Sequence, residues 1–280
     1  MTRPQFLRAA FVVVVAAGGL ALMRSLGALQ WPSVLAYSGL VVILFGLLSV
    51  LLPPRWLGFS RRWHGPLTGI LAGAALFAAG WFWPAGSFTT PSPATRLDAF
   101  MPAYNFHERH EIAIQASPDR VREALDQVSF ADIGVMRTLD AIRAIAMGHL
   151  QAVRQAQAAS PSVPMIEMIR NPRSGFFPLD DTPREFVFGM AGQPWNNVSV
   201  HLKAEEFRGW ASPGSVKAAV NFLIEDAGNG RSRVITETRI AASDASARGR
   251  MARYWALIYP GSGMTRRSLL NAIRDRAERR

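Results

Sequence analysis

The 280-residue chain has no cysteine, which excludes disulfides and thiolate metal sites and leaves the redox compartment open. It has no Asp or Glu before Asp98, although six arginines fall within residues 1–84. Three long apolar runs occupy that front section, and no Asp, Glu, Lys or His lies inside any of them. A proton relay or ion pathway there is therefore not indicated. Also missing are a G-x-S-x-G elbow, a P-loop and a G-x-G-x-x-G fingerprint, and no motif implies a cofactor.

What remains is apolar and basic. Hydrophobic residues make up 49%, mean hydropathy is +0.10 and the formal net charge is +11, carried almost wholly by arginine. About half of that excess sits in the front section. A basic excess split in this way, with arginines flanking apolar spans, is a membrane orientation signal and not the footprint of a nucleic-acid partner.

The first run, Ala9 to Met23, lies between Arg8 and Arg24. It reaches spanning length, about residues 9–29, only if Arg24 snorkels and Ser25 to Leu29 join it. A cleaved signal peptide is the rival reading, with Arg3 and Arg8 as its basic region and Ser25 and Gly27 before a cut. The second run, Trp31 to Leu52, and the third, Gly65 to Trp83, are long enough for the ~30 Å hydrocarbon layer. Trp31, Trp56, Trp63, Trp81 and Trp83 mark the run ends, where amphipathic rings prefer the interface. Arg3 and Arg8 precede the first run, and Arg55, Arg61 and Arg62 separate the second from the third. The expectation is a multi-pass section over residues 1–84 with a cytoplasmic amino terminus and an extracytoplasmic carboxy-terminal domain. Gly69 and Gly73 form a G-x-x-x-G pair suited to close packing within the helix group.

Residues 85–103 read as a linker, from the Pro- and Ser-rich stretch Pro84-Ala-Gly-Ser-Phe-Thr-Thr-Pro-Ser-Pro93 onward. Tyr104 to Gln115 then alternates, with Phe106, Glu108, His110, Ile112 and Ile114 on one face of a strand. Ser117-Pro118-Asp119 opens a helix through Val128, and Phe130 to Ala158 is helix-rich. Strands are expected at Met165 to Ile169, Gly175 to Leu179, Glu185 to Met190, Val198 to Leu202, Val216 to Glu225 and Arg233 to Ile240. The last two are joined by the hairpin signal Asp226-Ala-Gly-Asn-Gly230. A long amphipathic helix closes the chain. Met251, Trp255 and Ile258 share its apolar side, as do Leu270, Ile273 and Ala277 after an expected break at Pro260-Gly-Ser-Gly263. Strands in the middle with helices at both flanks argue an α+β class.

Several stretches, in order, carry a resemblance. These are Glu111-Ile-Ala-Ile-Gln before Ser117-Pro118, Gly175-Phe-Phe-Pro-Leu179, Arg184-Glu-Phe-Val-Phe-Gly189 with Trp195, Asn221-Phe-Leu-Ile-Glu225, Thr236-Glu-Thr-Arg239, and Arg253-Tyr-Trp255 through Arg266. Together, residues 104–280 resemble the helix-grip superfamily of START domains and polyketide cyclases, also called SRPBCC. The resemblance implies a curved antiparallel sheet gripping the terminal helix, with an apolar cavity between them. It fixes no chemistry.

His110, Phe188, Trp195, Glu237, Arg239, Tyr254, Trp255 and Ile258 are the candidate cavity residues. His107 and His110 point to opposite faces of a strand, and His107-Glu-Arg-His110 is one residue short of H-E-x-x-H, so no metal site is expected. Glu237 and Arg239 share a strand face. They serve either as a polar ligand anchor or as an ion pair fixing the strand against the helix, with Glu185 or Arg253 as further partners, and the pair is preferred. The functional expectation is a bilayer-tethered domain binding an apolar or amphipathic small molecule. A cyclase- or hydratase-type enzyme and a filled structural module are the alternatives.

Overall fold

A computed structural model describes residues 30–51, 63–129, 132 and 163–279. The first apolar run, the loop of Arg55, Arg61 and Arg62, and the helix expected over Phe130–Ala158 lie outside the described residues. The chain forms two compact units: the described part of residues 1–84 with residues 252–261, and residues 85–251 with residues 262–279.

In the first unit, α1 (Trp31–Leu51) and α2 (His64–Trp81) lie side by side because glycines line their seam. A Cβ on Gly39 would stand 2.6 Å from the Gly73 carbonyl oxygen, and one on Gly69 would stand 3.0 Å from the Gly46 Cα. Gly69 and Gly73 thus pack against α1, as their spacing predicts. The other flank of α1 exposes Leu40, Val41, Leu44, Phe45, Leu47 and Leu48. Among the described residues one helix, Trp31–Val50, is long and apolar enough to cross a bilayer; Gly65–Trp81 is apolar but shorter. Three spans were expected. The 18 residues of α2 rise about 27 Å, just under the ~30 Å hydrocarbon layer, because the helix stops at Trp81 and not at Trp83.

The second unit opens where a linker was expected, and that segment is built into the fold. β1 (Phe88–Thr89) pairs with β2 (Ala103–Tyr104), and α3 (Arg96–Phe100) lies between them. Thr95 caps α3 through a reciprocal box with Asp98, whose Oδ2 accepts from the Thr95 amide at 2.8 Å. Leu97 and Met101 are fully buried. Next come β3 (Phe106–Ile114) and α4 (Pro118–Gln127), with Pro118 at N1.

α5 (Met165–Arg170) occupies a segment expected as a strand. Six residues are too few to show a period, but Met165, Ile166 and Ile169 all point inward and Glu167 and Arg170 suit the two helix ends. β4 (Phe177–Asp181), β5 (Glu185–Gln193), β6 (Val198–Val200), the single turn α6 (Ala204–Phe207), β7 (Val216–Gly228) and β8 (Arg231–Ala242) follow. Asn229 and Gly230, both at positive φ, form the two-residue hairpin turn between β7 and β8.

The sheet is curved and antiparallel, in the order β3-β8-β7-β5-β4, with β6 on β5. Its inner face packs on α4, α5 and the end of the terminal helix through Phe186, Phe222, Val234, Leu125, Leu270 and Ile273. Its outer face is covered by Leu97 and Met101 of the α3 segment and by Phe207 of α6.

α7 (Ala245–Glu278) closes the chain and is continuous through Pro260, where a break was expected. Asp244 caps it, accepting from the Ala247 amide at 2.8 Å. Proline removes one backbone donor and costs a helix interior about 3 kcal/mol. Burial on both sides outweighs that cost: Trp255, Ala256 and Tyr259 lie before it or beside it, and Leu269, Leu270 and Ile273 follow. Residues 252–261 belong to the first unit, where the Tyr37 hydroxyl donates to the Leu257 carbonyl at 2.6 Å.

Candidate functional site

Strand register decides what faces α7. Residues paired across an antiparallel ladder share a face, so His110, Thr236, Phe222 and Phe186 form one inner row. Glu108, Thr238, Val220 and Phe188 form the next. Both rows are polar at the β3–β8 end and aromatic or aliphatic toward β7 and β5. The rings of Phe186, Phe188 and Phe222 stack at 5.9 and 6.3 Å.

The polar end converges on one carboxylate. The Glu108 side chain is wholly buried; its Oε1 lies 2.8 Å from His110 Nε2, and its Oε2 accepts from the Ser262 hydroxyl at 2.5 Å. Arg266, one turn beyond Ser262 on α7, donates to Thr236 Oγ1 at 3.0 Å and to Thr238 Oγ1 at 2.7 Å. Burial pulls the Arg266 guanidinium below its usual pKa, and the charge of Glu108 pulls it back up.

Chemically, the carboxylate orients the imidazole through this hydrogen bond. A serine nucleophile is not assembled, because the Ser262 hydroxyl is spent on Glu108 and not on His110. No group of three potential metal ligands occurs among the described residues.

Of the residues picked from sequence, the structure brings His110 and Phe188 to this face. Glu237 and Arg239 lie on the opposite face of β8. There Arg239 binds Glu237 at 2.6 Å and Asp98 at 2.7 Å, and its guanidinium lies 4.8 Å from the Tyr104 ring centre. Burial disfavours the Arg239 charge, but the two carboxylates outweigh it and raise its pKa. The pair thus ties β8 to the α3 segment through Asp98, where the expected counterpart was the terminal helix, with Glu185 or Arg253. Trp195 sits in a short 3-10 turn after β5, its indole N–H buried without a partner among the described residues. Tyr254, Trp255 and Ile258 fall within residues 252–261 and belong to the first unit.

Glu108, Thr236, Thr238, Ser262 and Arg266 are the functional candidates not picked from sequence. The signals were there. Glu108 falls on the inner parity of β3, and Arg266 stands at i−4 and i−7 from Leu270 and Ile273, on the apolar stripe of its helix.

A separate cavity of about 170 Å³ lies at the β5–β6 edge, lined by Gly175, Phe176, Met190, Gly192, Val198 and Val216. It is smaller than the ~300 Å³ at which ligand pockets begin. Comparison with protein-family models, curated proteins and solved structures found no match.

Proposed function

We propose that this chain is a membrane-tethered domain that holds an amphipathic small molecule of the lipid class between its sheet and its terminal helix. The carrying observation is the two-part inner face, with a buried polar cluster of Glu108, His110 and Arg266 beside the stacked rings of Phe186, Phe188 and Phe222. Burying charge is costly unless the groups are paired, and an apolar face that carries such a cluster offers an anchor for a polar head. The element order supports a helix-grip architecture of the START or SRPBCC type. The exposed leucines of α1 support a tether in the bilayer. The arginines flanking the apolar runs favour three spans with the sheet domain outside the cytoplasm.

A photoreactive fatty-acid probe added to the full chain in nanodiscs tests this. Crosslinks are expected on inner-face peptides around Phe188, Phe222 and Ile112. Labels confined to residues 31–83 refute the binding role and leave a structural module. The Glu108–His110 pair favours one second reading, an acid–base enzyme of the cyclase or hydratase type. It requires product formation that is lost in His110→Gln while probe binding persists.

A further inference from the structure

Arg266 is placed unlike Arg239, the buried arginine of the outer face. Arg239 lies between two carboxylates, whereas the only hydrogen-bond partners of Arg266 among the described residues are two neutral threonine hydroxyls. A guanidinium has five N–H donors, and two go to Thr236 and Thr238. Glu108, whose charge acts on Arg266, is engaged by His110 and Ser262 and makes no ion pair with it.

Both threonines are buried, at 1% and 7% exposure, so water does not compete freely for the hydroxyls that orient the fork. A guanidinium held by two neutral acceptors keeps three N–H donors, and an oxyanion is the partner that complements such a charged fork.

We propose that the amphiphile bound by this domain carries an oxyanion head, a carboxylate or phosphate, and that Arg266 is the residue that binds it. This rests on the binding role argued above and adds the class of ligand. Thr236 and Thr238 are positioning residues that hold the guanidinium plane. Burial already disfavours the charge of Arg266, and an incoming anion offsets that penalty.

The test is competition against the photoreactive probe on the full chain in nanodiscs, with hexadecanoate, hexadecyl phosphate and hexadecanol at equal mole fraction. Both anions are expected to displace the probe at least about tenfold better than the alcohol, the range for a hydrogen bond to a charged group. Whichever anion competes more strongly identifies the head. In Arg266→Gln the preference for the anions over the alcohol falls to about unity; Arg266→Lys keeps part of the preference. Equal competition by alcohol and anions on the unaltered chain overturns this proposal and leaves the binding role standing. Failure of all three to compete overturns both.

Discussion

Removing Arg266 gives the sharpest energetic test of the inner-face cluster. Arg266→Met keeps the unbranched apolar stem but deletes two hydrogen bonds from a charged donor, at 3.0 and 2.7 Å, and leaves the Thr236 and Thr238 hydroxyls buried without them. Bonds of this kind contribute about 1.5–3 kcal/mol each. Both acceptors are neutral hydroxyls, so the lower end is taken, giving about 3 kcal/mol in all. For a unit of this size, that corresponds to a fall in Tm of about 6–12 °C. Thermal unfolding of the full chain in detergent, followed by tryptophan fluorescence, reads it. Glu108→Gln removes the charge that Arg266 feels, so the double variant is expected to lose at least about 0.5 kcal/mol less than the sum of the single variants. A fall under about 2 °C for Arg266→Met, or strict additivity in the double variant, refutes the reasoning.

Three further outcomes follow from the same coordinates. Glu185 accepts from the Arg96 and Leu97 amides and from Asn221 Nδ2, so Glu185→Ala is expected to cost about 2–4 kcal/mol and to speed hydrogen exchange at those two amides first. Asp98 has its carboxyl below the usual range: burial pushes it up, but hydrogen bonds from the Ala94 and Thr95 amides, Thr95 and Arg239 outweigh this. The unfolded chain then binds more protons, so stability is full above about pH 4 and falls as pH drops below it. Asp98→Asn should flatten that fall in a pH series of unfolding midpoints. In the first unit, a side chain at Gly73 meets the Gly39 carbonyl and the Ile43 amide at 2.7 Å, both backbone atoms. Gly73→Leu is expected to separate α1 from α2 at a cost of about 1–3 kcal/mol or more, visible as earlier thermal aggregation of the extracted protein.

What was legible in the sequence was local. Alternation over Tyr104 to Gln115 located β3 and its inner face, and Asn229-Gly230 announced the β7–β8 turn because only such residues accept two positive φ angles in succession. Apolar spacing located the last helix. What escaped depends on contacts far apart in the chain. The segment before Tyr104 reads as linker by composition, yet Glu185 caps α3 from 89 residues away and Arg239 holds Asp98 from across the sheet. Proline and glycine at 260–263 signal a break by propensity, which packing overrules. The face of Glu237 and Arg239 follows from cross-strand register: Glu237 pairs with Arg109, not with His110. The helical position of Arg266 among leucines was readable, and its significance depended on knowing that Glu108 lies in the same place.

The most direct test of the central claim is the intact mass of the full chain released from native membranes into the gas phase without added lipid. The account expects one extra mass, that of an acidic amphiphile, retained on the unaltered protein and lost in the Glu108→Gln, Arg266→Met double variant. A bare chain mass for the unaltered protein, or an adduct that persists unchanged in the double variant, contradicts it.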